Sequence, residues 1–358
     1  MKQGKGKQGQ LPQTRRERPP WQALCEPDAK PGPQQAYGAA QSHVLNDDYM
    51  ERFEKGFAEL AGLSGTPARP EPPQRTAYLP EGHVISGAMD SKLCFWRKGS
   101  VRSDTLKGGH SGPISALAHL ASAGGVLSAS YDKTLRWWEC SGGTALPRCT
   151  AELTGHTAPV LQLCSDGASS AASGDRGGGL VAWDLQTGTA RLQIKGAHAG
   201  HVTALCMGTT ATAWDCISGG QDGMLVAWDF RSKASIWRAA AHVNQAGKGA
   251  VGNVVDLGTS IGTAGADGTV SLWQPQSGAA KPVASIRLPD FPYCLTAADS
   301  VMFCGCGDGF ILAISEAGGK ELYRLKGNAA AVRTLDVMGS SLVAAGDDGS
   351  AVTFSFGV

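Results

Sequence analysis

The chain has 358 residues, of which 18% are charged and 49 are glycine, with a formal net charge of +1. That composition fits many short strands joined by tight turns, and no run approaches the ~18 apolar residues of a membrane span. Ten cysteines, most on or beside predicted strands, come with no secretory signal and no Asn-X-Ser/Thr acceptor. They read as reduced thiols of an intracellular protein, cytoplasmic or nuclear and not secreted.

Residues 1–42 are rich in Gln, Gly, Pro, Lys and Arg. A segment so poor in apolar side chains cannot offset its ordering entropy, so a disordered tail is expected. Within it, residues 1–18 carry Lys2, Lys5, Lys7, Arg15, Arg16 and Arg18 against Glu17 alone, which leaves the rest of the chain acidic on balance. Such a run can contact RNA phosphates, although no aromatic side chain interleaves it.

Residues 43–63 change character. Asn46 and Asp47 can cap a helix whose Tyr49, Phe53 and Phe57 stack at i, i+4 and i+8, with Glu51, Arg52, Glu54 and Lys55 on the other side. Its apolar face must be buried, either on the rim of the chain's own domain or in a partner protein. Residues 64–74, SGTPARPEPPQ, form a Pro-rich connector, and from residue 75 to the end the sequence reads as strands.

Those strands repeat. In the stretch from Gly200 to Asp229, two apolar runs flank a turn carrying Asp222, and Trp228-Asp229 closes the unit. An imidazole from His201 placed between Ser218 and Asp222, with the Trp228 indole donating to the serine, would complete a buried polar cluster. The same six-residue step leads from Asp90 to Trp96, Asp132 to Trp138, Asp267 to Trp273, Asp308 to Ile314 and Asp348 to Phe354. In the unit ending at Trp183-Asp184 the turn position is Gly177, and consecutive anchors lie 40 to 45 residues apart.

This pattern resembles the WD repeat, the unit of a β-propeller blade. The resemblance covers residues 75–358 and implies an all-β, seven-bladed propeller preceded by the tail and short helix. It makes the clusters structural. They read as complete in the second unit (His110, Ser128, Asp132, Trp138), the fourth (His201, Ser218, Asp222, Trp228) and the fifth (His242, Thr263, Asp267, Trp273). The third unit keeps His156, Ser173 and Trp183 but lacks the Asp, its nearest carboxylate, Asp175, being displaced by two residues. The first, sixth and seventh units are degenerate, with Asn328 and Ala344 in the last. The family also closes its ring by supplying the outer strand of the last blade from the segment before the first; residues 60–69 are the candidate here, despite Gly62, Gly65 and Pro67.

Several strings that look catalytic fail on context. Gly258-Thr-Ser-Ile-Gly262 spells a nucleophile elbow, but between two strands rather than at a strand-to-helix turn. His198-Ala-Gly-His201 and Cys304-Gly-Cys306 could be drawn as zinc ligands, yet His201 is committed to its blade and alternating cysteines on a strand are a packing pattern. Hence no enzyme, no cofactor, no metal and no small-molecule substrate is expected.

Binding remains. The residue before each turn Asp lies near one face in this fold, which puts Tyr131, Gln221 and, in the third unit's equivalent slot, Arg176 there. Tyr and Arg are over-represented at interface hot spots. The leading expectation is a scaffold or adaptor for protein partners in a multiprotein assembly. Trp228-Asp229-Phe-Arg231 also resembles the W-D-x-R motif of substrate receptors for cullin–RING ubiquitin ligases, with Ala227 departing from the preferred aliphatic. RNA or ribosome-assembly work through residues 1–18 is the third reading.

Overall fold

The computed structural model describes residues 36–38 and 75–355, apart from 80–82, 98–101, 121, 123, 141–144, 209–213, 244–248, 259, 276–280, 299–300, 339–340 and 349. Among these there is no helix. The strands form seven four-stranded antiparallel sheets, six of them in sequential strand order. Blade two is typical: Ile114–Leu120 is innermost, followed outward by Gly125–Ser130, Thr134–Glu139 and Arg148–Thr154. The inner strands Arg75–Tyr78, Ile114–Leu120, Val160–Ser165, Val202–Met207, Val251–Asp256, Pro292–Ala298 and Val332–Met338 pack side by side in succession. The arrangement is a seven-bladed propeller.

Both faces of blades two to six are buried, because side chains alternate across a strand and each of these blades packs against two neighbours. On the second strand of blade two, Val126 packs toward blade one while Leu127 packs toward blade three. Among the described residues, six such inter-blade clusters make up the core. In each, one residue from the third strand reaches into the preceding blade: Trp138, Trp183, Trp228, Trp273, Ile314 and Phe354. Burying an indole this way is worth about 2–3 kcal/mol. The same close approach explains part of the glycine content. A Cβ on Gly219 would lie 2.5 Å from the Val251 side chain, which starts the next inner strand.

Blade seven alone is built from non-consecutive segments. Val332–Met338, Ser341–Gly346 and Ser350–Ser355 are its inner strands, and Ala36–Gly38 holds the outer position. Ala36 lies opposite Val352 and Gly38 opposite Ser350. The closing segment therefore comes from before blade one, but from residues 36–38 within the expected tail, whereas residues 60–69 lie outside the described residues. Ala-Tyr-Gly offers a backbone N–H at every position, which a Pro-containing stretch does not. The proposed helix, with Tyr49, Phe53 and Phe57, also lies outside the described residues, as do residues 1–18.

Candidate functional site

Four blades carry a buried hydrogen-bonded set built on one plan. In blade two, His110 Nδ1 lies 2.8 Å from Asp132 Oδ2, its Nε2 lies 2.7 Å from Ser128 Oγ, and Trp138 Nε1 donates to that Oγ at 2.8 Å. A carboxylate only accepts and an indole only donates, so the network assigns the ring proton to Nδ1, and the serine hydroxyl donates to Nε2. Blade five repeats this with His242, Thr263, Asp267 and Trp273 at 2.8 to 3.0 Å. The aspartates also hold their turns: Asp132 accepts the Thr134 N–H and hydroxyl at 3.0 and 2.8 Å. Burial opposes ionisation of Asp132, Asp175, Asp222 and Asp267. Hydrogen bonds and the neighbouring imidazole outweigh it, and each carboxyl sits below its ordinary range. Desolvation pushes His110 below its ordinary value despite Asp132.

Two sets differ from the sequence expectation. In blade four the histidine is His198, not His201: Nδ1 lies 3.0 Å from Asp222 Oδ1 and Nε2 2.7 Å from Ser218 Oγ, with Trp228 Nε1 2.8 Å from the same Oγ. His198 stands four residues before Val202, as His110 stands four before Ile114 and His156 four before Val160. His201 is too close to its strand to fold back; its carbonyl instead accepts the Gln221 N–H at 2.8 Å. In blade three the set is complete, because Asp175 supplies the carboxylate from two residues earlier. Its Oδ2 lies 2.8 Å from His156 Nδ1, and Oδ1 accepts the Gly177 and Gly179 N–H groups at 2.8 Å. A Cβ on Gly179 would come within 2.7 Å of that carboxylate, so the glycine run makes room for it. The signals that reveal both were in the sequence: a four-residue offset shared with blades two and three, and a run of three glycines.

The remaining blades keep different parts of the set. Blade one keeps Trp96 Nε1 on Ser86 Oγ at 2.7 Å, while Asp90 is exposed and paired with Lys92. In blade seven Asn328 Nδ2 reaches Asp348 at 3.0 Å, and Ala344 and Phe354 replace hydroxyl and indole together. Blade six keeps only the turn carboxylate, Asp308 accepting the Phe310 N–H at 3.0 Å, and is apolar at the other three positions. Leu288 takes the histidine's place, since its N–H reaches the Gly268 carbonyl as His242 N reaches that of Gly223. It packs with Cys304 and Ile314. Exchanging all partners for apolar groups is tolerated where removing one is not.

One end of the propeller is distinct. The second-to-third-strand turns and the starts of the inner strands meet there, as Ile114 pairs with Ser130 and Val332 with Gly346. Tyr131, Arg176 and Gln221 occupy equivalent places, each donating its N–H to the carbonyl just before the inner strand, from Pro113, Pro159 and His201. Arg176 is exposed, and Tyr131 and Gln221 are half-buried. The structure thus puts all three on one face in adjacent blades. Gln221 Oε1 also accepts the His201 N–H at 3.2 Å.

A family model described as WD domain, G-beta repeat matches residues 102–139, the first unit with a complete set. That unit recurs as seven sheets in one ring. The chain is a WD-repeat β-propeller. No curated protein matches it. WD-repeat propellers generally act as non-catalytic platforms for protein interaction. Among the described residues of this propeller no cluster of His, Cys, Asp and Glu could hold a metal ion, and no helix is long and apolar enough to cross a membrane. The serine of the elbow-like string, Ser260, is buried at a strand start with its hydroxyl on Glu316. Cys304 and Cys306 are fully buried, and the hydrogen bond with Cys306, together with burial, drives the Cys304 thiol well up. In the W-D-x-R string, Asp229 caps its turn by accepting the Arg231 and Ser232 N–H groups. Asp184 does the same for Gln186 and Thr187 in blade three, so the aspartate is explained by the turn. Arg231 is exposed.

Proposed function

We propose that this WD-repeat propeller is a non-catalytic scaffold that holds protein partners on the face bearing Tyr131, Arg176 and Gln221. The observation that carries the reading is the division of labour among side chains. Four histidines and their aspartates are consumed by the sets of blades two to five, whereas Tyr131, Arg176 and Gln221 stand outside those sets. Arg brings a planar fork of donors for carboxylates or carbonyls, and Tyr an amphipathic ring at low entropic cost. The test is affinity purification from the native cell with wild type and Tyr131→Ala/Arg176→Ala. The double variant should weaken its principal partner by about 2 kcal/mol or more with its melting temperature unchanged. Equal partner recovery from both would refute this face as the working surface. Recovery of a ligase adaptor that depends on Arg231, or of RNA that depends on residues 1–18, would replace the scaffold reading.

A further inference from the structure

The rim of the propeller carries a pattern that the buried sets leave unexplained. In blades two, three, four and six the outer strand bulges against the third strand, and the extra residue is Thr150, Arg191, Ile236 and Leu322 in turn. A bulge re-aims that side chain. In blade five Val283 holds the same place. It precedes Ala284, which pairs with Leu272 as Trp237 pairs with Ala227, one residue before each blade's tryptophan. Ile236, Val283 and Leu322 are 46%, 55% and 39% exposed, and they are three of the five exposed large hydrophobic side chains among the described residues. Single exposed aliphatics need no explanation. Three at equivalent positions on three consecutive blades form a row.

Bases frame that row. On the outer strands Ala234–Ala240, Ala284–Arg287 and Lys320–Lys326 and just before them, Lys233 and Arg238 flank Ile236, Lys281 and Arg287 flank Val283, and Lys320 and Arg324 flank Leu322, all of them exposed. The alternate residues Trp237, Ile286 and Tyr323 pack inward against the core clusters. Glu321 is the acid of these three strands, and Arg324 Nε pairs with it at 2.6 Å. Lysine and arginine on an edge strand guard it against pairing with other strands. That accounts for the bases but not for the row, because exposed branched aliphatics on an edge do the opposite. Thr150 and Arg191 show that the bulge accepts a polar residue, so the fold does not demand an aliphatic one.

We infer that the rim of blades four to six is a membrane-surface site, which rests on a bilayer face carrying anionic lipid. The bases meet the charged headgroups, and Ile236, Val283 and Leu322 enter the boundary between headgroups and acyl chains. Val283, on the middle blade and the most exposed of the three, enters deepest. The occupant follows from spacing and chemistry. Inner strands pack side by side, whereas the outer strands of these blades stand apart, so the anchors suit a continuous surface better than one short peptide. Valine and leucine are also under-represented among the residues that dominate protein interfaces. The chain lies on the bilayer without spanning it, and both ends of the propeller stay open. This surface is separate from the end bearing Tyr131 and Arg176 and does not depend on the scaffold reading.

The experiment floats the full chain with vesicles of phosphatidylcholine, alone or with phosphatidylserine added. Wild type should float with the anionic vesicles and stay behind with the neutral ones. Ile236→Ser/Val283→Ser/Leu322→Ser and Lys281→Glu/Arg287→Glu should each weaken binding by roughly tenfold or more. All five positions are exposed, so melting curves should match wild type; Val283→Ser alone provides a lighter variant if the triple one is unstable. Wild type that ignores anionic vesicles, or rim variants that bind like wild type, would overturn the inference. Flotation kept in the rim variants but lost on deleting residues 1–18 would overturn it too, since the basic tail would then supply the attraction. So would binding that appears only in Phe53→Asp/Phe57→Asp, because the chain's own residues 43–63 would then occupy the row. Capture of a soluble peptide of alternating Glu and Leu in preference to vesicles would make the occupant a protein and sink the membrane reading.

Discussion

His198→Ala and His201→Ala differ in outcome if the blade-four set is as described. The His198 side chain is fully buried and makes two hydrogen bonds, one to the Asp222 carboxylate and one with Ser218. A bond to a charged group contributes about 1.5–3 kcal/mol and a neutral one about 0.5–1.5. Asp222 keeps the Ala199 and Met224 N–H groups and Ser218 keeps the Trp228 indole, so neither is wholly stranded. Against that, alanine leaves a ring-sized void between two blades. The expected loss is about 3–4 kcal/mol, or a fall of about 5–7 °C in melting temperature at about 2.1 cal/mol/K of unfolding entropy per residue. His201 is half-buried, and its contacts with Gln221 use backbone N–H and carbonyl, which alanine retains. That variant should lose markedly less than His198→Ala. Thermal melting and guanidinium titration of the pair decide the matter. Similar losses in both, or a larger loss in His201→Ala, would refute the assignment of the buried imidazole.

Three further outcomes are expected. Asp175→Ala should cost about 1–3 kcal/mol, and Gly179→Ala should also destabilise, because its methyl would displace the same carboxylate; wild-type melting of both would show that blade three does not use Asp175. Cys304→Ser should cost about 1–3 kcal/mol, since blade six offers the hydroxyl no imidazole or indole, and a neutral result in denaturant titration would contradict the apolar packing. Acidification should destabilise in two stages. His110 is held below its ordinary value, so its stabilising contribution is present above about pH 6.5, the unfolded value, and is lost as pH falls through the folded one. Asp132, Asp175, Asp222 and Asp267 are likewise depressed, so theirs is present above about pH 3.9 and is lost below it. Stability measured across this range should therefore fall with decreasing pH in both windows, and a rise on acidification below neutrality would contradict the buried neutral imidazole.

The sequence by itself determined the repeat. A carboxylate six residues before an aromatic is a local constraint, set by one turn and one strand, so it survives as a spacing and can be counted from Asp90 to Phe354. The complete sets of blades two and five were readable for the same reason. What tertiary structure decided involves choices between residues that local spacing leaves equivalent. His198 and His201 both precede the same strand, and only the distance the chain must fold back over the turn separates them. Asp175 is off register in sequence, yet its carboxylate arrives where Asp132's does because Gly177 and Gly179 leave room. The closing strand is a long-range pairing between residues 36–38 and Ser350–Ser355, and three residues of Ala-Tyr-Gly carry no periodicity that could announce it. The stacking of Arg333 on Tyr293 was hidden in the same way. Tyr293 and Arg333 are unremarked strand residues until bulges turn them onto one face, because a bulge is fixed by how neighbouring strands register against each other rather than by the residue it displaces.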